Sequence, residues 1–223
     1  SVAAMVNVSL LACEAMVFKA VMHEVDWAIG VHGAGIHPAA LLALRRVGVR
    51  LGWWFTEAPY DTNEDRELHL ASWVDVAFVN DRSSVPDFQK VFDEHRPGGR
   101  AYYLRHAYDP ETHYPRPIDA TTPEERCDVL FIGSGFVERQ HLLECCDWTG
   151  INLVLGGQWL GVFPNFHLAP HIKYGILPND EVARLYAGAK IVVNAHRDGG
   201  PLASSANPRV WEVAACGAFQ ISD

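Results

Sequence analysis

The stretch "DVLFIGSGFVERQHLLECC", residues 128–146, decides the fold class of this chain. Its apolar run predicts a strand over 128–132, and the helical spacing that follows predicts a helix over 138–146. Gly133 and Gly135 lie at the turn between them, where glycine lets the backbone approach a ligand closely and the next helix offers unpaired N–H groups to an anion. The turn is therefore either a phosphate-binding loop or a strand-to-helix connection that simply needs glycine.

The same alternation of strand and helix extends in both directions. Strands are predicted over 27–31, 49–55, 74–80, 102–105, 152–155, 191–194 and 218–221. Helices are predicted over 39–47, 64–72, 86–92, 181–187 and 209–216. Such alternation is typical of βαβ units with a mostly parallel sheet and helices on its faces.

A proline-rich segment, "YDPETHYPRPIDATTPEER" at 108–126, interrupts this alternation and favours extended backbone. It predicts a linker between an N-terminal Rossmann-like domain, 1–107, and a C-terminal Rossmann-like domain, 127–223. We expect an α/β protein whose two domains face each other across a hinge. The chain begins without Met and stops just after an apolar run, so both domains are expected to be incomplete at their outer ends.

Composition excludes several classes of protein. The net charge of −9 argues against a nucleic-acid or anionic-membrane partner. The five cysteines form no C-x-x-C pair, which disfavours a disulfide framework and a zinc ribbon and favours the cytoplasm. Residues 1–22 are apolar but include Asn7, Glu14 and Lys19, so they predict a buried helix and neither a signal peptide nor a transmembrane segment.

The closing stretch, "NPRVWEVAACGAFQISD" at 207–223, places charged residues at the start of a predicted helix. Asn207 suits the N-cap and Pro208 the first helical position. Arg209 and Glu212 are three residues apart and therefore share one helix face. A carboxylate in such a place can accept hydrogen bonds from ribose hydroxyls, and an arginine can stabilise a phosphate. The alternative is a salt bridge between the two on an exposed helix.

Other polar residues of the second half are weaker candidates. Arg139, in the helix after the glycine turn, either adds charge to a diphosphate site or is a solvated surface residue. His171 and Lys173 either face a ligand or belong to the surface, beside a turn predicted at 174–177.

The second half resembles the donor domain of GT-B glycosyltransferases, in particular the spore-maturation CgeB-like group. The resemblance rests on "YGILPNDEVARLYAGAKIVVNAHRD", residues 174–198, and on the closing stretch. It is weaker over 53–92 and 103–115, which resemble the acceptor half. It implies two Rossmann-like domains, with a nucleotide-sugar held mainly by the second.

The resemblance also implies roles for residues of this chain. Glu212 would hold the donor ribose, Asn207 and Arg209 would line the diphosphate or sugar, and Ile176 would lie where the nucleobase rests. Gly133 and Ser134 would form the glycine loop, with Arg139 beside the diphosphate. Retaining relatives often carry a second Glu eight residues before the ribose one, where this chain has Ser204, so the stereochemical outcome stays open.

Catalysis also needs a base that takes the proton of the acceptor hydroxyl. Candidates at predicted strand ends of the first half are Glu57, Asp61, Asp81 and His106, of which Glu57 and His106, together with Arg209, form the predicted catalytic set. His32 and His37 lie beside glycines, but a metal site would need a third ligand that the sequence does not supply. No metal and no cofactor is expected besides the nucleotide-sugar substrate.

These features predict a metal-independent glycosyltransferase that uses a nucleoside diphosphate sugar and an unknown glycan, protein or small-molecule acceptor. Helix N-termini and arginine side chains would stabilise the leaving diphosphate. Two alternatives remain: a non-catalytic nucleotide- or glycan-binding module, and a nucleotide-sugar epimerase of the same fold.

Overall fold

The computed structural model describes residues 2–32, 36–56, 59, 64–159, 161–162, 166–196 and 205–223, with backbone only for 2–9 and 64–65. The chain divides into two compact units, one formed by residues 1–105 and 198–205 and one by residues 106–197 and 206–223. Each unit contains its own parallel sheet. The predicted α/β class with two parallel sheets and flanking helices is confirmed.

The first unit contains a four-stranded parallel sheet in the order β1-β2-β3-β4. The strands are β1 Trp27–Val31, β2 Arg50–Phe55, β3 Val76–Val79 and β4 Arg100–Tyr103. The helices are α1 Val2–Met22, α2 Pro38–Arg46, α3 Glu64–Ala71 and α4 Val85–His95. Each strand pairs with the next along the chain, which is the simplest arrangement for successive right-handed βαβ units.

The core of the first unit forms because two helices each bury one apolar stripe. Leu41 and Leu44 of α2 are three residues apart, and Phe88 and Phe92 of α4 are four apart, so each pair lies on one helix face. All four side chains are fully buried. Phe88 packs against Phe55 of β2 with ring centroids 4.7 Å apart.

Helix α1 is present, but the prediction that it is buried is wrong for its described side chains. Only Cys13 and Ala20 are buried between Leu10 and Met22, with Met16 and Val17 packed partly against the core. Leu11, Phe18 and other large apolar side chains of the helix are exposed in this chain. Its apolar and polar residues are spread around the helix, so its sequence does not distinguish the buried face from the exposed one.

The second unit contains a five-stranded parallel sheet in the order β7-β6-β5-β8-β9. The strands are β5 Cys127–Ile132, β6 Leu153–Gly156, β7 Ile172–Tyr174, β8 Ala189–Asn194 and β9 Gln220–Ser222. The helices are α5 Val137–Glu144, α6 Asn179–Gly188 and α7 Pro208–Ala215. The chain proceeds outward from β5 to β7 and then returns to add β8 on the other side of β5. Ligands of open α/β sheets bind at such a reversal of strand order, beyond the carboxyl ends of the strands.

Alternate residues of β5 pack on opposite faces of this sheet, as the two-residue period of a strand requires. Leu130 and Ile132 join one cluster with Val182 and Tyr186 of α6. Phe131 joins the cluster on the other face with Leu143 of α5. The central strand is thus buried on both sides, which explains its continuous apolar sequence.

Two segments differ from the prediction. Tyr174, expected to begin a turn, is the last residue of the short strand β7, which pairs with β6 across an irregular register. The segment 108–126, expected to be extended, contains 3-10 turns at Ile118–Ala120 and Pro123–Glu125. A capping box between Thr122 and Glu125 stabilises the second turn. Pro123 costs this turn no hydrogen bond, because the first N–H of a helical turn has no internal partner.

Among the described residues, no helix combines the length and apolar character that a bilayer span requires.

Candidate functional site

A cleft of about 500 Å³ lies in the second unit, beyond the carboxyl ends of its strands. We call it the arginine cleft, and its defining residues are Gly133, Arg139, Ile176, Tyr186, Arg209 and Glu212. They come from the turn after β5, the segment after β7, and helices α5, α6 and α7. The cleft lies where the strand order reverses between β5 and β8, the position expected for a ligand site in this class of sheet.

The structure brings together every residue predicted to bind the donor. Along with the defining residues Gly133, Arg139, Ile176, Arg209 and Glu212, the predicted Ser134 and Asn207 also line the cleft. They are distant in sequence but adjacent in space because the carboxyl ends of parallel strands meet at one edge of the sheet. Ile176 is 78% exposed and presents an apolar surface at this site.

Two glycine turns form one wall of the cleft. The N–H of Gly133 donates to the carbonyl of Gly156 at 2.9 Å, which ties the turn after β5 to the end of β6. Gly157 has a φ of +106°, and a Cβ there would lie 2.3 Å from the carbonyl oxygen of Gly133. Only glycine fits both that conformation and that distance. A Cβ at Gly133 would lie 3.4 Å from the Arg209 guanidinium, so the arginine packs directly against this turn.

Arg209 lies in the first turn of α7 and is held by neutral groups. Its Nε donates to the hydroxyl oxygen of Tyr186 at 3.3 Å, and its Nη1 lies 3.5 Å from Oδ1 of Asn194. Among the described residues, no carboxylate forms a salt bridge with Arg209. Its positive charge is therefore not neutralised by this part of the protein, which suits an anionic ligand.

Glu212 lies one turn further along α7, is half-buried and lines the same cleft. The alternative prediction, a salt bridge between Arg209 and Glu212 on an exposed helix, is not found. In the described part of the chain, no side chain or backbone N–H donates a hydrogen bond to the Glu212 carboxylate. It is thus an acceptor that remains available to hydroxyl groups of a ligand.

Asn207 occupies the N-cap position of α7, as predicted, but its side chain does not cap the helix. Its Nδ2 donates instead to Oδ1 of Asn194 at 2.9 Å. Asn194 ends strand β8, is only 1% exposed, and donates from its own Nδ2 to Oγ of Ser222 at 3.1 Å. The amide of Asn194 therefore links the end of the sheet to the start of α7.

Arg139 is not the solvated surface residue that the sequence allowed as an alternative. It is only 8% exposed, and its Nη1 donates to the carbonyl of Ser134 at 3.0 Å. Its guanidinium lies 5.1 Å from the ring centroid of Phe136 and 5.8 Å from that of Phe131. These contacts fix a second cation in the wall of the cleft.

The sequence did not single out Tyr186 or Asn194. Burial raises the pKa of the Tyr186 phenol to about 12, an effect that Arg209 partly offsets and Glu212 reinforces. The hydroxyl therefore stays protonated and neutral at physiological pH. Tyr186 lies on the apolar face of α6 and has the pattern of an ordinary core aromatic residue. Asn194 carries a weak signal, since it is a polar residue that directly ends an apolar strand.

The predicted catalytic base is not located. His106 follows β4, is half-buried, and is not among the residues that line the arginine cleft. Glu57 and Asp61 lie outside the described residues, as does Ser204. Asp81 is fully buried and accepts hydrogen bonds from the backbone N–H of Ser83 at 2.9 Å and from its hydroxyl at 2.7 Å. Its carboxylate caps a 3-10 turn, and its role as a base stays a prediction.

The other histidine candidates have structural contacts. Nδ1 of His37 accepts from the N–H of Ala39 at 3.2 Å, at the start of α2. Nδ1 of His32 lies 3.4 Å from Oγ1 of Thr56, and Nδ1 of His171 lies 3.2 Å from the carbonyl of Leu153. Neither His171 nor Lys173 lines the cleft. Within the described ranges, no group of three metal-ligating side chains is placed to hold an ion.

Comparison with known proteins finds one family model and several solved structures that resemble the chain. Residues 139–223 match a family model described as glycosyl transferase-like. No curated protein sequence matches the chain. The matched segment begins at Arg139 and includes Ile176, Asn207, Arg209 and Glu212.

Solved structures resemble the chain in fold. Anabaena HepE in complex with UDP-glucose aligns with a TM-score of 0.58 and 14% identity, over 94% of this chain and 62% of that one. A trehalose-6-phosphate synthase aligns with a TM-score of 0.57 and 11% identity, over 95% and 60%. A putative UDP-N-acetylglucosamine 2-epimerase from Listeria monocytogenes aligns with a TM-score of 0.52 and 10% identity, over 85% and 56%.

The chain spans less than two thirds of the length of these solved proteins. Identities this low carry information on fold and none on substrate. The chain therefore shares an α/β fold with these proteins, and its residues 139–223 are similar to the glycosyl transferase-like family.

Proposed function

We propose that this protein transfers a glycosyl group from a nucleoside diphosphate sugar to an acceptor. The observation that carries the proposal is the convergence of Arg139, Arg209 and Glu212 on one cleft at the reversal of strand order. Two fixed cations suit a diphosphate, and an available carboxylate beside them suits the adjoining ribose. Ile176 supplies an apolar surface of the kind on which a nucleobase can pack.

The chemical role of the two arginines is to stabilise the leaving group. When the bond between the anomeric carbon and the diphosphate breaks, negative charge accumulates on the diphosphate oxygens. Guanidinium groups already fixed in place lower the energy of that charge without reorganising. In other enzymes a divalent cation has this role. Because the two arginines can take its place, we propose that transfer here is metal-independent.

The finer assignments are also proposals. We place the protein in the CgeB-like group and in the cytoplasm, with no nucleic-acid partner, on the basis of its sequence motifs, its cysteine usage and its charge. Glu57 and His106 remain the candidate bases for the acceptor hydroxyl. The acceptor is a glycan, a protein or a small molecule.

The test is an incubation of the protein with labelled UDP-glucose, UDP-N-acetylglucosamine, GDP-mannose and dTDP-rhamnose, with and without a library of glycan and small-molecule acceptors. UDP-glucose comes first because the HepE structure holds it. Release of the nucleoside diphosphate together with incorporation of the sugar supports transfer. Donor consumption that yields an isomerised sugar without incorporation supports the epimerase, and binding without turnover supports a non-catalytic module. The Arg209→Ala variant controls for contaminating activity.

A further inference from the structure

Arg209 is fixed from several sides by groups that carry no charge. The hydroxyl of Tyr186 accepts from its Nε, and Oδ1 of Asn194 lies beside its Nη1. The guanidinium also packs against Gly133, since a Cβ there would lie 3.4 Å from both Nη atoms. Neutral partners hold a cation in one orientation without cancelling its charge.

The hydroxyl of Tyr186 has no packing function that a phenylalanine would not meet. The ring is 1% exposed and belongs to the apolar cluster under α6 and α7. Burying a hydroxyl costs free energy unless it forms a hydrogen bond. Among the described residues, Arg209 is the hydrogen-bond partner of this hydroxyl.

Asn194 has a comparable arrangement on the other side of the guanidinium. Its Nδ2 donates to Ser222 at the end of β9, which fixes which end of the amide faces α7. Its Oδ1 then accepts from Asn207 and lies beside Arg209. An amide buried at 1% exposure and bonded on both sides has one orientation.

We propose that Tyr186 and Asn194 are positioning residues that hold the Arg209 guanidinium toward the leaving diphosphate. The inference rests on the proposed function for the identity of the ligand, although the geometry of Arg209 can be tested without one. Both residues act through Arg209, so their removal affects the phosphate end of a nucleotide and spares the base and ribose.

The first test is Tyr186→Phe, which removes one oxygen and keeps the buried ring. The probes are UDP and GDP, each compared with its monophosphate by calorimetric titration of the full chain. Because the variant loses a hydrogen bond to a charged group, we expect its affinity for the diphosphate to fall by about fivefold. Its affinity for the monophosphate should fall by less than about twofold. The loss disappears when Arg209→Met is already present, because the two residues act as a unit.

Tyr174→Phe is the matched control. Its hydroxyl donates to the carbonyl of Glu124 at 3.1 Å, away from the arginine cleft. It also loses one tyrosine hydroxyl from the same unit, but at an exposed position, so it controls for the substitution itself. We expect it to leave both nucleotide affinities unchanged.

Asn194→Asp tests the second positioning residue. The substitution keeps the size and the acceptor at this position but introduces a negative charge beside Arg209. The guanidinium then forms an ion pair with the introduced carboxylate, so the variant should bind the diphosphate about tenfold more weakly. Ser222→Ala, which removes the anchor of the amide without adding charge, is expected to cause a smaller loss of the same selectivity.

A ligand-independent measurement separates this inference from the proposed function. The Nε–H signal of Arg209, identified by its loss in Arg209→Met, is followed by NMR hydrogen exchange in the wild type and in Tyr186→Phe. Loss of the partner is expected to speed exchange by about tenfold. Equal exchange in the two proteins overturns the positioning role whether or not a nucleotide binds. If the wild type binds no nucleotide but Tyr186→Phe still exchanges faster than the wild type, the positioning role is supported and the proposed ligand is rejected.

Discussion

Nε of Arg209 donates to the hydroxyl of Tyr186 at 3.3 Å, which joins a charged residue of the arginine cleft to a core residue of the second unit. The tyrosine oxygen has no other described partner, and the arginine has no described carboxylate. A buried aromatic side chain thereby sets the position of a cation on which the proposed chemistry depends. The relationship makes the core beneath α6 and α7 part of the site.

Glu212→Gln is expected to weaken nucleotide binding through the ribose. The carboxylate accepts no hydrogen bond from the described protein, so it is available to ribose hydroxyls, and the amide is a weaker acceptor. We expect a loss of about tenfold in affinity for UDP, and almost none for 2′,3′-dideoxy-UDP. Titration of both nucleotides into both proteins measures this. Glu111→Gln, an exposed glutamate of the same unit, is the control. An equal loss for the two nucleotides would remove the ribose role.

Arg209→Ala is expected to lower turnover more than donor affinity. The charge that Arg209 offsets is greater on the leaving diphosphate than on the intact donor, so its contribution is greater in the transition state. Loss of one such group lowers kcat by about a hundredfold or more. Steady-state kinetics with the preferred donor, read as separate changes in kcat and KM, measures the effect. A variant whose KM rises while kcat stays unchanged contradicts this role.

Two glycines with positive φ, Gly157 of the cleft wall and Gly150 outside it, should respond differently to alanine. Gly157→Ala forces a Cβ to 2.3 Å from the Gly133 carbonyl at a φ of +106°, so we expect a loss of several kcal/mol, about 3 or more, in the free energy of unfolding. Gly150 has a φ of +75° in open space, and Gly150→Ala is expected to lose only about 1 kcal/mol.

Gly133→Ala is expected to fold and to leave the Arg209 guanidinium in place, because a Cβ 3.4 Å from it is in ordinary van der Waals contact. Diphosphate affinity should change little, and stability by about 1 kcal/mol or less. Urea unfolding and UDP titration of the three variants separate these effects. Equal stabilities for Gly157→Ala and Gly150→Ala would show that the two turns do not pack as described.

Tyr186 should make stability depend on alkaline pH. Its pKa is raised from the ordinary value of 10.0 to about 12, chiefly by burial. Above pH 10.0, the ordinary pKa, the unfolded chain releases the phenol proton while the folded chain keeps it. Unfolding therefore becomes more favourable as pH rises. The stability present below that pKa is lost between the two values, by about 2–3 kcal/mol.

Urea unfolding of the wild type and Tyr186→Phe across this range tests the shift. The wild type should lose stability more steeply than the variant, which lacks the phenol. Cys127, whose pKa burial raises to about 11, is present in both proteins and therefore cancels in the comparison. Parallel pH profiles would contradict the description of the phenol as buried and neutral.

Much of the fold was accessible from the sequence because strands and helices alternate with clear apolar periods. The turn at Gly133, the helix that begins after Asn207 and the pairing of Arg209 with Glu212 on one helix face are all local features. Local rules were sufficient to place these residues at the carboxyl ends of strands, where the sheet topology then brings them together.

The remainder depended on contacts between distant segments. Tyr186 has the periodicity of a core residue, and only the packing of α6 against α7 shows that its hydroxyl meets Arg209. Asn207 satisfies the sequence rule for an N-cap, but Asn194 competes for its side chain. Helix α1 has apolar residues all around it, with its few polar residues scattered among them, so no pattern marks the face that packs. Neighbours of this kind are set by tertiary structure and not by local preference.

The central claim is that the arginine cleft receives a nucleoside diphosphate. Its most direct test is calorimetric titration of the full chain with UDP, GDP, ADP and dTDP, each beside its monophosphate, in the wild type and in Arg209→Ala. The account predicts saturable binding of at least one diphosphate, about tenfold or more tighter than its monophosphate, and loss of that preference in the variant. Equal affinity for the diphosphate and its monophosphate, or a preference for the diphosphate that persists in Arg209→Ala, would contradict it.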